Sequence, residues 1–272
     1  LLPAFHAKTT ASEDECLVQL EKMLDLMVGQ RLRADVPFGM FLSGGIDSNT
    51  VLAFMLKHLG PEKTRTFSIG FTEKSYDESG IAESVAAHFG TTHKTFRVTH
   101  LDEDLDKIIS KAADEPLADA SFIPTYRLAQ QTADQNIKMV LTGDGGDELF
   151  AGYPTYVADK LHRGLSHFLP AMAWSGIYSL ADRVLPVSHK RMSLDFKLRQ
   201  FRRGMKLDPA RAHFSWRVLQ TQNVWRSLLH PDLARDCSWD EVFSEFEPHY
   251  SKSKSLDPLD QALYVDTKTW LV

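Results

Sequence analysis

Cysteine is nearly absent from this chain: two residues in 272, Cys16 and Cys237, lie far apart and outside any C-x-x-C spacing. That excludes a disulfide framework and a zinc knuckle and makes a reducing cytoplasm the expected compartment. No apolar run approaches the ~18 residues of a membrane-spanning helix, and the opening LLPAFHAKTT has no charged segment followed by an apolar core, so neither a membrane span nor a secretion leader is expected. That opening also lacks an initiator Met; residues 1–11 read as a linker remnant, as if the chain began between domains. Charge of one sign is missing too. A formal net charge of −5 gives no overall attraction to nucleic acid or to an anionic membrane, so any polyanion must be bound locally. There is no internal repeat and no low-complexity tract. The histidine pairs His88/His93 and His162/His167 miss the i, i+4 spacing of a helical metal pair, and surface positions are expected for them.

What is present is an ordinary globular composition, 43% hydrophobic and 25% charged, enough for one large or two modest domains. The informative stretch is Phe38–Ser48, FGMFLSGGIDS. Val36 to Leu42 has the length and apolar character of a strand buried on both faces, and from Asn49 the residues Val51, Leu52, Met55, Leu56 and Leu59 form a helical stripe. Between them Gly44 and Gly45 supply unhindered backbone, so that N–H groups can turn toward an anion at a helix N-terminus, with Ser43 and Ser48 adding hydroxyls. A Walker A loop needs Gly-Lys-Ser/Thr and a dinucleotide fingerprint needs G-x-G-x-x-G; this loop has neither. The plain alternative is a tight turn in which Asp47 favours the helix dipole.

In chain order, Ser12–Arg33 predicts an amphipathic helix with a Ser12/Glu15 capping box and a stripe of Leu17, Leu20, Leu24, Met27 and Val28. Gly60-Pro61 closes the helix after the loop; Thr66–Phe71 predicts a second strand, Asp77-Glu78 opens a helix running to Gly90, and Thr92–Val98 a third strand. A helix over Leu101–Ala113, another over Ser121–Gln135 with Pro124 in its first turn, and a strand at Ile137–Thr142 follow. Such alternation argues for a parallel sheet with helices on both faces, binding ligands beyond the C-terminal strand ends. From Asp159 strand-like runs stop and a mostly helical region is expected, containing all five tryptophans, which read as core. Its basic Arg183–Arg211 and acidic Asp232–Asp260 stretches read as solvated helical faces that attract each other, a phosphate-binding patch being the alternative.

A second glycine-acid turn, Thr142–Tyr153 (TGDGGDELFAGY), follows its own strand as the first loop does. Its spacing is wrong for an EF-hand. A nucleoside triphosphate carries several negative charges that a divalent cation must bridge, and magnesium prefers a few carboxylates with phosphate oxygens and water; Asp47 and Asp147 could supply one carboxylate each. The alternative is that Asp144, Asp147 and Glu148 merely cap a helix.

SGGIDS resembles the signature of the N-type ATP pyrophosphatases. Followed in order by TFSIGF, SYDES, DEPLADAS and TGDGGDELFAGY, it is similar to the synthetase domain of glutamine-hydrolysing asparagine synthetases. The resemblance implies an α/β fold with a doubly wound parallel sheet of the adenine-nucleotide alpha-hydrolase (PP-loop) type over residues 12–158 and a helical extension over 159–272. It implies ATP and Mg²⁺, with Ser43, Gly44, Gly45, Asp47 and Ser48 at the pyrophosphate, Leu42 and Ile69 near the nucleoside, Thr142 and Gly143 closing over it, and the metal at Asp47 and Asp147. Aspartate or a similar carboxylate would become an acyl-adenylate that ammonia attacks, with Asp144, where relatives often have Glu, as proton acceptor. The resemblance further implies a glutaminase domain as partner, which this chain does not supply because neither cysteine stands at an N-terminus, a phosphate-contacting Lys beyond Val272, and a homodimer as one oligomeric option. Other N-type pyrophosphatases with different acyl or amine substrates, and a nucleotide-binding module without turnover, stay open beside it.

Overall fold

The computed structural model describes residues 8–98, 108–110, 119, 121–166, 194–218, 220–236 and 238–271. The chain divides into two compact units, Thr10–Asp144 and, from Gly145 onward, the rest, so the division falls inside the second glycine-acid motif.

The first unit is α/β. Helix α1 (Glu13–Arg31) starts at Ser12, whose hydroxyl accepts from the Glu15 amide while the Glu15 carboxylate accepts from the Ser12 amide, the expected capping box. Strands β1 (Phe38–Phe41), β2 (Arg65–Phe71), β3 (Thr92–Val98) and β4 (Met139–Leu141) form one sheet in the order β3-β2-β1-β4, every pair parallel. Helices α2 (Ile46–Leu59), α3 (Ser79–Phe89) and α4 (Phe122–Ala133) connect them. Gly60, at φ 74°, ends α2 as expected, ahead of a short 3₁₀ turn at Pro61–Lys63. Of the helix expected over Leu101–Ala113, only residues 108–110 are described, and they are helical.

Alternation along the strands builds a core on each face. Met40 and Leu42 join Leu52 and Met55 of α2, Ala82 and Ala86 of α3 and Val28 of α1; Phe67 joins Phe96, Leu128 of α4 and Ile137 on the other side, with Phe41, Ile69 and Val140 packed against them. The sheet is therefore doubly wound. Strand β2 is not uniformly apolar, however: Thr66 and Ser68, on either side of Phe67 in sequence, are also buried. Their hydroxyls are satisfied laterally, Thr66 by His93 Nδ1 at 2.8 Å and Ser68 by His93 Nε2 at 3.1 Å and Thr95 at 3.1 Å, so burial does not leave them unpaired. The expectation of a surface position fails for His93, which is half-buried because it serves these hydroxyls. The α1 stripe also behaves differently from its pattern: Val28 is buried, but Leu17 (54%) and Met27 (47%) stay exposed, because only the C-terminal part of the helix reaches the α2 face.

The second unit is helical in its described residues: α5 (Gly146–Phe150), α6 (Pro154–Ser166), α7 (Leu194–Gly204), α8 (Pro209–Arg217), α9 (Gln222–Leu228), α10 (Pro231–Asp236), α11 (Trp239–Ser244), α12 (Glu247–Lys252) and α13 (Pro258–Thr269). Two of these begin with Asp-Pro. Asp208 accepts from the Ala210 and Arg211 amides and Asp257 from the Leu259 amide, while Pro209 and Pro258 sit where no N–H is needed. The core is aromatic, with Phe214 against Trp239, Phe243 and Phe246 at 4.8–5.5 Å between ring centres. Trp216 is buried against Phe201, whereas Trp270 is 40% exposed; Trp174 lies outside the described residues. Arg211 of the basic stretch pairs with Asp240 of the acidic one, so within the described part these stretches do attract each other. No helix among the described residues is long and apolar enough to cross a membrane.

Candidate active site

The strand order sets where a ligand can enter. From β1 the chain moves outward to β2 and β3, then returns to place β4 on the opposite side of β1. The loops after β1 and β4 therefore flank the topological switch point, beyond whose C-terminal strand ends ligands of open α/β sheets bind.

Both glycine motifs of the first unit stand there. After Leu42, Ser43 Oγ lies 3.1 Å from Ser48 Oγ and accepts from the Gly45 amide at 3.2 Å; Ser48 Oγ donates to the Gly45 carbonyl at 3.0 Å, and Asn49 Nδ2 donates to the Gly44 carbonyl at 3.1 Å. The loop is thus pinned by its own side chains around the N-terminus of α2, whose first amides have no partner within the helix and suit an anion. The two glycines are not equivalent. Gly44 has φ 80°, and a Cβ there would meet Ile81 Cγ2 at 2.6 Å; Gly45 has an ordinary extended backbone (φ −70°, ψ 161°) and nothing closer than Ser43 Oγ at 3.3 Å. The turn therefore needs glycine at 44, while a side chain at 45 would crowd only the Ser43 hydroxyl.

On the other side of the switch point, Gly143 lies against this same helix start: a Cβ added there would fall 2.7 Å from the Ser48 amide nitrogen and 3.1 Å from Asp47 Cβ. Only a glycine allows that approach. Thr142 Oγ1 donates to Asp144 Oδ2 at 2.8 Å, which holds an exposed carboxylate beside the cradle. Ser43, Gly44, Gly45, Asp47, Ser48, Thr142, Gly143 and Asp144 are thus brought together. Leu42 is 1% exposed with its side chain in the core, so only its backbone is open to a ligand, and Ile69 is half-buried against the Phe67 cluster. Asp147 belongs to the second unit. Its Oδ1 rests on the backbone of Gly152, where a Cβ would come within 1.8 Å. No group of three or more His, Cys, Asp or Glu side chains is gathered around a cation position among the described residues.

Sequence reading missed a buried ionic network in the second unit. His213, 2% exposed, meets Asp159 Oδ2 through Nδ1 at 2.5 Å and Asp266 Oδ1 through Nε2 at 3.0 Å; Asp266 also accepts from Arg217 Nε at 3.1 Å and from the Tyr156 hydroxyl at 2.8 Å. Burial opposes the imidazolium, but the two carboxylates outweigh it and push the His213 pKa up to about 9. Burial likewise works against the Asp266 carboxylate, and His213, Arg217 and Tyr156 outweigh it, keeping its pKa below the usual range. His162, expected at the surface, is 2% exposed and edges onto Trp216. Desolvation lowers its pKa, so the neutral ring fits that position. None of these residues lies inside a motif visible in the sequence.

Residues 19–272 match the sequence profile of asparagine synthase. Among curated relatives, a Methanocaldococcus jannaschii protein provisionally named as a glutamine-hydrolysing asparagine synthetase is 41% identical over 140 residues, covering 50% of this chain and 26% of its own length. The Bacillus subtilis protein named glutamine-hydrolysing asparagine synthetase 1 is 28% identical over 95% of this chain and 39% of its own length. The protein named amidase chry2 of Gibberella zeae is 33% identical over 70% and 33% respectively. The chain thus spans well under half the length of the relatives it matches. With the profile covering nearly all of it, and the loops SGGIDS and TGDGGDELFAGY at the switch point and unit boundary, this chain belongs to the asparagine synthase family.

Proposed function

We propose that the chain activates a carboxylate, aspartate or a similar acid, as an acyl-adenylate at the expense of ATP, releasing pyrophosphate, and that ammonia then displaces AMP to leave an amide. The observation that carries this reading is the contact of Gly143 with the Asp47–Ser48 helix start. The contact brings two independently coded glycine loops to one helix N-terminus, which supports a reaction that must hold pyrophosphate on one side and expose an α-phosphorus on the other.

In this reading the amides of Gly45 and the first turn of α2, with the Ser43 and Ser48 hydroxyls, receive the pyrophosphate and the charge that grows on it as the α–β bond breaks. The backbone at Leu42 and the side of Ile69 border the nucleoside, and Thr142 and Gly143 close the phosphate end. Asp144, oriented by Thr142, accepts a proton from the attacking amine. Magnesium fits the donor chemistry, since Asp47 and Asp147 offer hard carboxylate oxygens in the small number it takes beside phosphates and water; bound there it would neutralise charge on the phosphates. The whole protein's partners in this proposal are a glutaminase domain as ammonia source and small-molecule substrates, in the cytoplasm. The similarity to an amidase keeps the range of acids to be tried broad.

Calorimetric titration tests the metal assignment. Asp47→Asn and Asp147→Asn should each weaken ATP binding far more with Mg²⁺ than without, and the double variant should lose less than the sum of the singles because both serve one ion. Equal losses with and without Mg²⁺ would remove these carboxylates from the metal role.

A further inference from the structure

The second unit holds a chain of contacts that ends on the Asp147 turn and that the proposed chemistry does not use. Arg217, whose side chain is 8% exposed, donates from Nε to Asp266, and its guanidinium carbon lies 4.5 Å from the centre of the Tyr153 ring and 4.4 Å from that of Trp270. Tyr153 in turn donates its hydroxyl to Glu148 Oε1 at 2.8 Å, and Glu148 is 3% exposed. Between Glu148 and Tyr153 the backbone reverses through Ala151, a non-glycine residue at φ 59°, and through Gly152, on which the Asp147 carboxylate rests. The Ala151 and Gly152 amides both donate to the Asp147 carbonyl, closing the turn locally, while Ala151 bears the cost of a left-handed angle in a non-glycine residue.

We propose that Arg217 and Tyr153 are positioning residues: Asp266 and the two aromatic faces fix the Arg217 guanidinium, Arg217 fixes the Tyr153 ring, and the Tyr153 hydroxyl fixes Glu148 and so the direction of the Asp147 carboxylate. The cost of the arrangement supports a role beyond packing. Buried carboxylates of Glu148, Asp159 and Asp266 lie in this unit with buried His213 and the largely covered side chain of Arg217, and Glu148 Oε2 and Arg217 Nη2 find no hydrogen-bond partner among the described residues. Apolar residues of similar volume would fill such a site at lower energetic cost, so an ion network kept here serves geometry. Cation–π contact with two rings, together with one directed Nε–H bond, fixes the plane of an Arg and would not fix a Lys.

This inference rests on Asp147 meeting Mg²⁺·ATP, and its test has two separable arms, both on the complete gene product. Tyr153→Phe removes one hydroxyl and keeps the ring under Arg217. The Mg²⁺ concentration for half-maximal ATP binding should rise roughly tenfold, as for other outer partners of metal ligands, with metal-free ATP binding little changed and the melting temperature a few degrees lower because buried Glu148 loses its donor. Hydrogen exchange of the amides over residues 147–152 should accelerate while those of α13 hold. Arg217→Lys should reproduce both effects despite keeping the charge. Unchanged exchange over 147–152 in both variants overturns the brace, and so does faster exchange there with an unaltered Mg²⁺ requirement. Should the unsubstituted protein bind ATP without any Mg²⁺ dependence, the metal reading fails, and the amide-exchange arm alone decides whether Arg217 and Tyr153 hold the turn.

Discussion

Gly44 and Gly45 look alike as text and differ in the fold. Both read as turn punctuation, but of the two only Gly44 has a positive φ and a neighbour closer than 3 Å to where a Cβ would stand, and Gly143 of the second loop shares that crowding. Gly44→Ala and Gly143→Ala should therefore each destabilise the first unit by about 1–3 kcal/mol, through left-handed strain and contact with Ile81 in one and collision with the Ser48 amide in the other. Gly45→Ala should fold with nearly wild-type stability, because its added methyl would meet only Ser43 Oγ at 3.3 Å, and should lose nucleotide affinity by crowding that hydroxyl. Urea unfolding and ATP titration of the three variants separate these outcomes; a destabilised Gly45→Ala would contradict the loop geometry. At this scale the motif was legible in full and the division of labour within it was not, since backbone angle is set by packing against Ile81, a residue of another helix.

Among the elements, the helix caps were the best-read features, because a cap is local: Ser12 and Glu15 lie within one turn of each other. The network on α8 and α13 was the worst-read. Residues 212–216 are buried in succession, so α8 shows no clean amphipathic period, and nothing local ties His213 to Asp266. The network predicts a pH signature. His213 has a folded pKa of about 9, above the ~6.5 of the unfolded chain, so its contribution is complete below pH ~6.5 and is lost as pH rises toward 9, on the order of 3 kcal/mol in all. Asp266, with its pKa lowered, acts oppositely, losing its contribution in acid below the ordinary Asp range. Denaturant unfolding at pH 6 and pH 8.5 should show the second unit weaker at the higher pH. His213→Gln should be destabilised by about 3–5 kcal/mol at pH 6, through two carboxylates left facing each other, and should lose most of that slope. A slope that survives the substitution would assign it to other groups.

For the whole molecule, alternation of strands and helices was enough to foresee a parallel, doubly wound sheet, and the position of β4 beside β1 turns that architecture into a site by creating the switch point. The boundary inside the Thr142–Tyr153 motif was not foreseen, because TGDGGDELFAGY is continuous as sequence, while Thr142–Asp144 packs with the sheet and the residues from Gly145 pack with the helices. The account stands or falls on ATP being cut between its α- and β-phosphates in response to a carboxylic acid. Incorporation of labelled pyrophosphate into ATP, measured on the complete gene product with Mg²⁺ across a panel of carboxylic acids headed by aspartate, reads that step directly. The account predicts exchange that depends on one acid or a few related ones and falls at least a hundredfold in Asp47→Asn, as expected when transition-state charge loses a preorganised partner. Absence of exchange with every acid while ATP is hydrolysed to ADP and phosphate would contradict it.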